Sequence, residues 1–295
     1  MSERPIPNAV PHLAGNEWRY LKECLDTNWV SSVGPFVERF ERETAAGVGA
    51  AHAVAAVTGT AALHVALLTA GVRPGDEVLV PALTFIATAN AVCYCGATPV
   101  FVDVEASTWG MDPTKVDDFL AKECDVRDGA LINRGTGRVV RAVLPVHLYG
   151  HPVDLDAFLD IAARWPLTLV EDSAEALGAR YKGRPVGVAG LDGVEMFVEQ
   201  PWARSTYWMP SVLLDPARFG PARDVVRAAN ADGIGFRPLW YPLHRQPVFA
   251  ERQAYRIEVA DDLHARGVSL PCSVGISEEE RARVIDRLAR CRRAR

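Results

Sequence analysis

Cysteine and basic segments are both scarce in this chain of 295 residues. Six cysteines are too few for a disulfide scaffold of this length. Cys93 and Cys95 lack the spacing and the second ligand pair of a zinc site, so no metal is predicted. The net charge is −5 and the one basic cluster, 290–293, is interpreted as a solvated helix end. A nucleic-acid surface is therefore not expected.

Signal and membrane segments are lacking as well. The N-terminus has no basic-then-apolar segment, so export is not expected. Residues 78–102 carry no charge, but prolines, an asparagine and a glycine interrupt them, which disfavours a bilayer helix. A buried strand–helix–strand unit explains this run better, and a cytoplasmic protein is predicted. P-loop, GxSxG, HExxH and EF-hand patterns are also missing, which counts against those enzyme classes.

Apolar strands and helices alternate along the chain. Strands are predicted at 53–57, 77–81, 98–104, 142–150 and 167–172, and helices at 16–26, 35–46, 58–71, 84–96 and 154–165. Apolar strands that alternate with helices predict an α/β fold with a parallel sheet covered on both faces. After about residue 193 the pattern changes to a strand at 207–215 and helices at 221–233 and 277–291. Two domains are therefore predicted, 1–193 and 194–295.

The segment Thr58-Gly59-Thr60-Ala61-Ala62 lies where a predicted strand turns into a helix. Free N–H groups and the positive end of the helix dipole suit an anion there, and Gly59 would let a phosphate approach closely. A plain turn of small residues is the alternative.

Asp172 ends a predicted strand, so its carboxylate is expected at the carboxyl edge of the sheet, where α/β proteins bind ligands. A carboxylate there could hold a protonated pyridine nitrogen. Glu175 follows one helical turn later. The alternative is an acidic residue that caps the next helix.

Phe85 also follows a strand end, and it either stacks on a flat cofactor ring or belongs to the core. His147 and His244 lie in loop-like sequence contexts, PVHLYGH and PLHRQPVF, and a lone histidine is more often structural than catalytic.

Together these segments resemble the DegT/DnrJ/EryC1/StrS family of sugar aminotransferases, most closely its LegC-like branch, which aminates 4-keto nucleotide sugars. The resemblance covers about 7–193 and 194–290. The sequences that carry it are NEWRYLKECLDTNWVSSVGPFVERFE, VTGTAALHVALL, GDEVLVPALTFIATANAVCYCGATPVFVDV, PVHLYGHPVDLD, VEDSAEALGARYKGRPVG, GIGFRPLWYPLH and GVSLPCSVGISEEE.

The resemblance implies fold type I of the pyridoxal-phosphate enzymes, with a smaller α+β C-terminal domain. It implies transfer of an amino group, from glutamate, to a 4-keto nucleotide sugar. Thr60 and Ala61 would hold the cofactor phosphate, Phe85 would stack on the ring, Asp172 would pair with its nitrogen, and Glu175 would lie beside it. Residues that would face the sugar substrate are Trp29, Ser31, Ser32 and His244.

The chain departs from the family at one place. In the family a segment of the type FSFNGNK follows YKGRPVG, and its lysine forms the Schiff base with the cofactor. Here 187–193 runs directly into VEMFVEQPWARSTYW, which resembles sequence far downstream in the family. An internal deletion is therefore predicted, and no catalytic residue is assigned. The remaining lysines are Lys22, Lys115, Lys122 and Lys182.

Lys182 is not expected to substitute, because YKGRP predicts a surface hairpin turn with Gly183 at its bend. In the family the deleted strands lie inside the large sheet, so their loss would leave backbone groups of the neighbouring strands unpaired. The remaining strands must therefore pair with one another, be covered by a partner chain, or form an unstable sheet. Three hypotheses remain open: a family member with absent or very low turnover, a non-catalytic binder of nucleotide sugar or pyridoxal phosphate, or a deletion product. A homodimer, or a heterodimer with a full-length paralogue, is expected.

Overall fold

The computed structural model of the chain describes residues 4–181, 194–196 and 199–293. The helices are α1 (Glu17–Asp26), α2 (Pro35–Val48), α3 (Gly59–Thr69), α4 (Ala87–Tyr94), α5 (Pro113–Glu123), α6 (Leu155–Arg164), α7 (Pro216–Phe219), α8 (Ala222–Ala231), α9 (Val259–Arg266) and α10 (Glu278–Arg290). The strands are β1 (Glu77–Pro81), β2 (Thr98–Val102), β3 (Cys124–Arg127), β4 (Ala130–Asn133), β5 (Val140–Val143), β6 (Thr168–Leu169), β7 (Arg180–Tyr181), β8 (Val194–Met196), β9 (Ala203–Arg204), β10 (Ser211–Leu214), β11 (Arg237–Pro238), β12 (Ala254–Tyr255) and β13 (Gly267–Ser269).

A parallel sheet forms the centre of the larger part of the molecule, in the order β12-β2-β1-β5-β6. Its central strands β1, β2 and β5 are mostly apolar, as expected where both faces of a sheet are covered. Val78 and Val80 of β1 face one core cluster with α4, and Leu79 faces another with α5 and α6. The predicted α/β fold with helices on both faces is confirmed.

One predicted strand was wrong. Residues 53–57 form no strand, and Val54 and Val57 are 82% and 93% exposed. An apolar run becomes a strand only where a neighbour pairs with its backbone. Among the described residues no strand lies beside this run, and the N–H of Ala55 donates instead to Glu41 Oε1 at 2.8 Å.

Two other predicted strands are shorter than expected. The run 142–150 gives only β5, since Pro145 has no N–H to continue the ladder. The run 167–172 gives only β6, followed by a single bridge between Val146 and Asp172. This bridge brings the loops after β5 and β6 together at the carboxyl edge of the sheet.

A second, antiparallel sheet has the order β11-β13-β10-β8 and packs against α8 and α10. The capping box predicted at the start of α10 is present, formed by Ser277 and Glu280. The boundary predicted at residue 193 lies outside the described residues and stays a prediction. Strand β12 comes from the C-terminal part of the chain but pairs with β2 in the parallel sheet.

Asp103 joins the two parts of the molecule. Its carboxylate is fully buried after β2 and accepts the backbone N–H groups of Glu258, Val259 and Ala260, at the start of α9. Burial alone would raise the pKa of Asp103, but the ion pair with Lys115 at 2.6 Å and the three N–H donors hold it below its ordinary value. The C-terminal segment is thereby fixed against the parallel sheet.

No helix within the described ranges is long and apolar enough to cross a membrane.

Candidate functional site

A cavity of about 430 Å³ lies at the carboxyl edge of the parallel sheet, beside the start of α3. This size falls within the range of small-molecule sites. The loops after β1 and β6, the first turn of α3 and a segment from the C-terminal part meet here. The lining residues are Gly59, Thr60, Leu63, Thr84, Phe85, Ala87, Thr88, Val146, Asp172, Ala174, Glu175, Trp208 and Trp240.

Asp172 is 6% exposed and reaches the cavity from the loop after β6. Its Oδ2 accepts the hydroxyl of Thr88 at 2.8 Å, and its Oδ1 accepts the N–H of Ala174 at 3.1 Å. Two neutral donors fix the orientation of the carboxylate while its charge has no cationic partner among these contacts. Such a group is suited to a cationic ring nitrogen.

Glu175 is a second buried carboxyl group, 8% exposed. Its Oε2 accepts the N–H of Tyr149 at 2.6 Å, and its Oε1 accepts the indole N–H of Trp240 at 3.2 Å. Burial raises the pKa of Glu175 to about 7, and the charge of Asp172 adds to the rise, against the two hydrogen bonds. Glu175 therefore exchanges a proton near neutral pH.

The start of α3 is shaped by Thr58, whose Oγ1 accepts the N–H of Ala61 at 3.1 Å. Ala61 is absent from the cavity lining and its N–H serves as a cap contact, whereas Gly59 and Thr60 line the cavity. A Cβ at Gly59 would meet nothing within 4 Å, so there is open space at this end of the helix dipole.

Phe85, after β1, is 49% exposed and lies against Trp240 with ring centroids 5.2 Å apart. The structure brings Thr60, Phe85, Asp172 and Glu175 to one cavity, as the family resemblance implied. Their individual roles stay predictions. Lining residues that this reasoning missed include Thr88, Trp208 and Trp240. Trp240 sits in the quoted segment GIGFRPLWYPLH but follows no predicted strand or helix start.

None of the residues expected to face the sugar lines the cavity. Trp29 is half exposed beyond α1, Ser31 and Ser32 are exposed, and none of them lines the cavity. His244 is mostly buried, with Nε2 3.2 Å from Asp261 Oδ1. Burial lowers the pKa of His244, against the charge of Asp261. Their substrate role stays a prediction.

The contacts of His147 are structural, because they join two loops of the protein. Its Nδ1 accepts the N–H of Val153 at 3.1 Å, so the ring proton is on Nε2, which lies 3.1 Å from Glu171 Oε2. The histidine thus connects the loops after β5 and β6.

Among the described residues no lysine lines the cavity. Each described lysine pairs with a carboxylate: Lys22 with Asp26 at 2.5 Å, Lys115 with Asp103 at 2.6 Å, and Lys122 with Asp118 at 2.7 Å. Lys182 and the turn predicted at Gly183 lie outside the described residues.

Comparison with known proteins decides the family. The profile of the DegT/DnrJ/EryC1/StrS aminotransferase family matches residues 11–198 and 188–289. The chain belongs to this aminotransferase family. GDP-perosamine synthase of Caulobacter vibrioides is 31% identical over 379 aligned positions, which cover 97% of this chain and 98% of that protein.

Solved structures of similar fold agree with the family assignment. DesI, solved in the presence of its TDP-sugar product, matches with a TM-score of 0.84 and 23% identity, over 98% of this chain and 93% of that one. Spr1654 from Streptococcus pneumoniae, in its PLP form, matches with a TM-score of 0.82 and 17% identity, over 97% and 98%. At these identities the likeness concerns the fold.

Proposed function

We propose that the cavity binds pyridoxal phosphate, in a member of a nucleotide-sugar aminotransferase family whose own turnover is absent or very low. The observation that carries the proposal is the buried, hydrogen-bonded carboxylate of Asp172, which faces the same cavity as the start of α3. An anionic phosphate and a cationic ring nitrogen are the two charged ends of this cofactor. The cavity thus offers a suitable group for each end.

The described residues suit the cofactor. Gly59 and Thr60 would hold its phosphate at the first turn of α3, Asp172 would hold the protonated ring nitrogen, and the exposed face of Phe85 would contact the ring. When bound, the cofactor supplies an electron sink for proton removal at the amino-bearing carbon. The role predicted for Ala61 is restricted to the helix cap contact with Thr58.

The substrate class is proposed to be a 4-keto nucleotide sugar with glutamate as the amino donor. The similarity to GDP-perosamine synthase and to DesI, which was solved with a TDP-sugar, supports a nucleotide sugar. The LegC-like branch stays a proposal, as does contact of the sugar with Trp29, Ser31, Ser32 and His244. A cytoplasmic location is part of the same proposal.

We infer that the chain lacks an internal block that contains the family's cofactor-attaching lysine. An alignment of 379 positions with a chain of 295 residues requires positions in the relative that have no counterpart here. The family profile matches in two stretches that overlap at 188–198. This overlap supports a missing block at that place in the chain. The short edge strand β6 and the unpaired run 53–57 fit a sheet without its interior strands.

A second candidate function, a non-catalytic binder, is favoured by the lack of a lysine at the cavity within the described residues. Such a protein would hold cofactor or nucleotide sugar by itself, or act beside a full-length paralogue. Apolar side chains of α1 that face solvent, Trp18 and Leu25 among them, support assembly with a second chain. Co-purification with a full-length homologue tests that assembly.

Turnover tests the proposal. With glutamate, pyridoxal phosphate and a 4-keto nucleotide sugar, the chain is expected to form no amino sugar beyond the reaction of free cofactor, because no lysine of the described ranges lines the cavity to transfer the proton. Equilibrium dialysis on the same sample is expected to detect bound cofactor. Rapid amino-sugar formation contradicts the loss of activity, and absence of any binding contradicts the site. Sequencing of the locus identifies a deletion product.

A further inference from the structure

We propose that Trp240 is a cofactor-binding residue, whose indole ring completes with Phe85 an aromatic wall for the pyridine ring of pyridoxal phosphate. This inference rests on the proposed function. It adds a residue from the C-terminal part of the chain to a site otherwise built from the parallel sheet and its helices.

The position of Trp240 is fixed by three contacts. Its backbone N–H donates to Tyr149 Oη at 2.9 Å, and its indole N–H donates to Glu175 Oε1 at 3.2 Å. Its ring stacks on that of Tyr149, with centroids 6.1 Å apart and planes at 25°. Tyr149 is itself fully buried, so it forms a rigid base for the indole.

The free surface of Trp240 faces the cavity. The indole is partly exposed, lines the cavity and lies 5.2 Å from Phe85 at an angle of 57°. The two rings therefore contact each other and form one continuous apolar surface near Asp172. Because the indole N–H is already bound to Glu175, Trp240 can offer a ligand only its aromatic surface. A flat, electron-poor pyridinium ring is suited to such a surface.

The loss of an aromatic contact provides the first test. Trp240→Ala is expected to weaken binding of pyridoxamine phosphate, measured by calorimetry, about tenfold, and Trp240→Phe by no more than about threefold. Tyr94→Ala, at an exposed aromatic residue outside the cavity lining, is the matched control and is expected to bind as the unaltered chain does. Thermal unfolding without ligand shows that each variant is folded.

Tryptophan fluorescence provides a readout that a purely structural role would not change. Binding is expected to quench the emission of the unaltered chain. Trp240→Phe is expected to lose the part of the quenching that is due to Trp240 and to keep that of Trp208, which also lines the cavity, while calorimetry still detects binding. Unchanged quenching in Trp240→Phe, or unchanged affinity in a folded Trp240→Ala, overturns the inference and leaves the proposed function standing. If the unaltered chain binds neither pyridoxamine phosphate nor pyridoxal phosphate, both are overturned.

Discussion

Replacement of Asp172 by alanine is expected to weaken binding of pyridoxal phosphate about a hundredfold. The carboxylate is 6% exposed, so its attraction for a cationic ring nitrogen is little screened by water. The variant would leave the ring cation without its anionic partner. It would also leave the Thr88 hydroxyl and the Ala174 N–H without their acceptor.

Equilibrium dialysis measures this change, and two further variants define its cause. Asp172→Asn keeps the shape and removes the charge, so a loss close to that of alanine would assign the effect to charge. Glu171→Gln alters the neighbouring carboxyl, whose side chain is 42% exposed, and is expected to change the affinity less than about twofold. An affinity unchanged in a folded Asp172→Ala variant contradicts the proposed contact.

Glu175→Gln is expected to remove a pH dependence of stability that amounts to about 3 kcal/mol in the unaltered chain. In the unfolded chain the carboxyl ionises near 4.5, whereas burial in the folded state raises its pKa to about 7. Between these values the folded state binds the extra proton. The contribution is therefore complete below about pH 4.5 and is lost as the pH rises through about 7.

Urea unfolding at about pH 5 and about pH 8 measures this effect, since the contributions of all other groups are shared by the chain and the variant. Between about pH 5 and about pH 8, the unaltered chain is expected to lose stability relative to the Glu175→Gln variant. Glu251→Gln, at an exposed turn, is the control and is expected to leave the pH dependence unchanged. Equal pH dependence in the chain and in Glu175→Gln contradicts the raised pKa.

Patterns of neighbouring residues, such as helix caps and apolar runs, were enough to predict much of the fold and part of the candidate site. Helix α10 was predictable from its capping box and apolar face, and β1 from its short, mostly apolar run. Phe85 and Asp172 were predictable as neighbours because both follow parallel strands, whose carboxyl ends meet at one edge.

Contacts between distant segments could not be predicted in this way. The run 53–57 has the composition of a strand, but pairing depends on a neighbour elsewhere in the chain. Trp240 reaches Glu175 across 65 residues, and no periodicity or cap at either position indicates the contact. The raised pKa of Glu175 likewise results from burial by these distant partners.

Borohydride reduction in the presence of pyridoxal phosphate, followed by peptide mass mapping of the four lysines, tests the central proposal most directly: the chain binds the cofactor in this cavity without a lysine that attaches it. The predicted result is that no lysine is modified stoichiometrically and that desalting before reduction removes the bound cofactor. Stoichiometric attachment to a single lysine, Lys182 above all, suppressed in Asp172→Ala, would contradict the account.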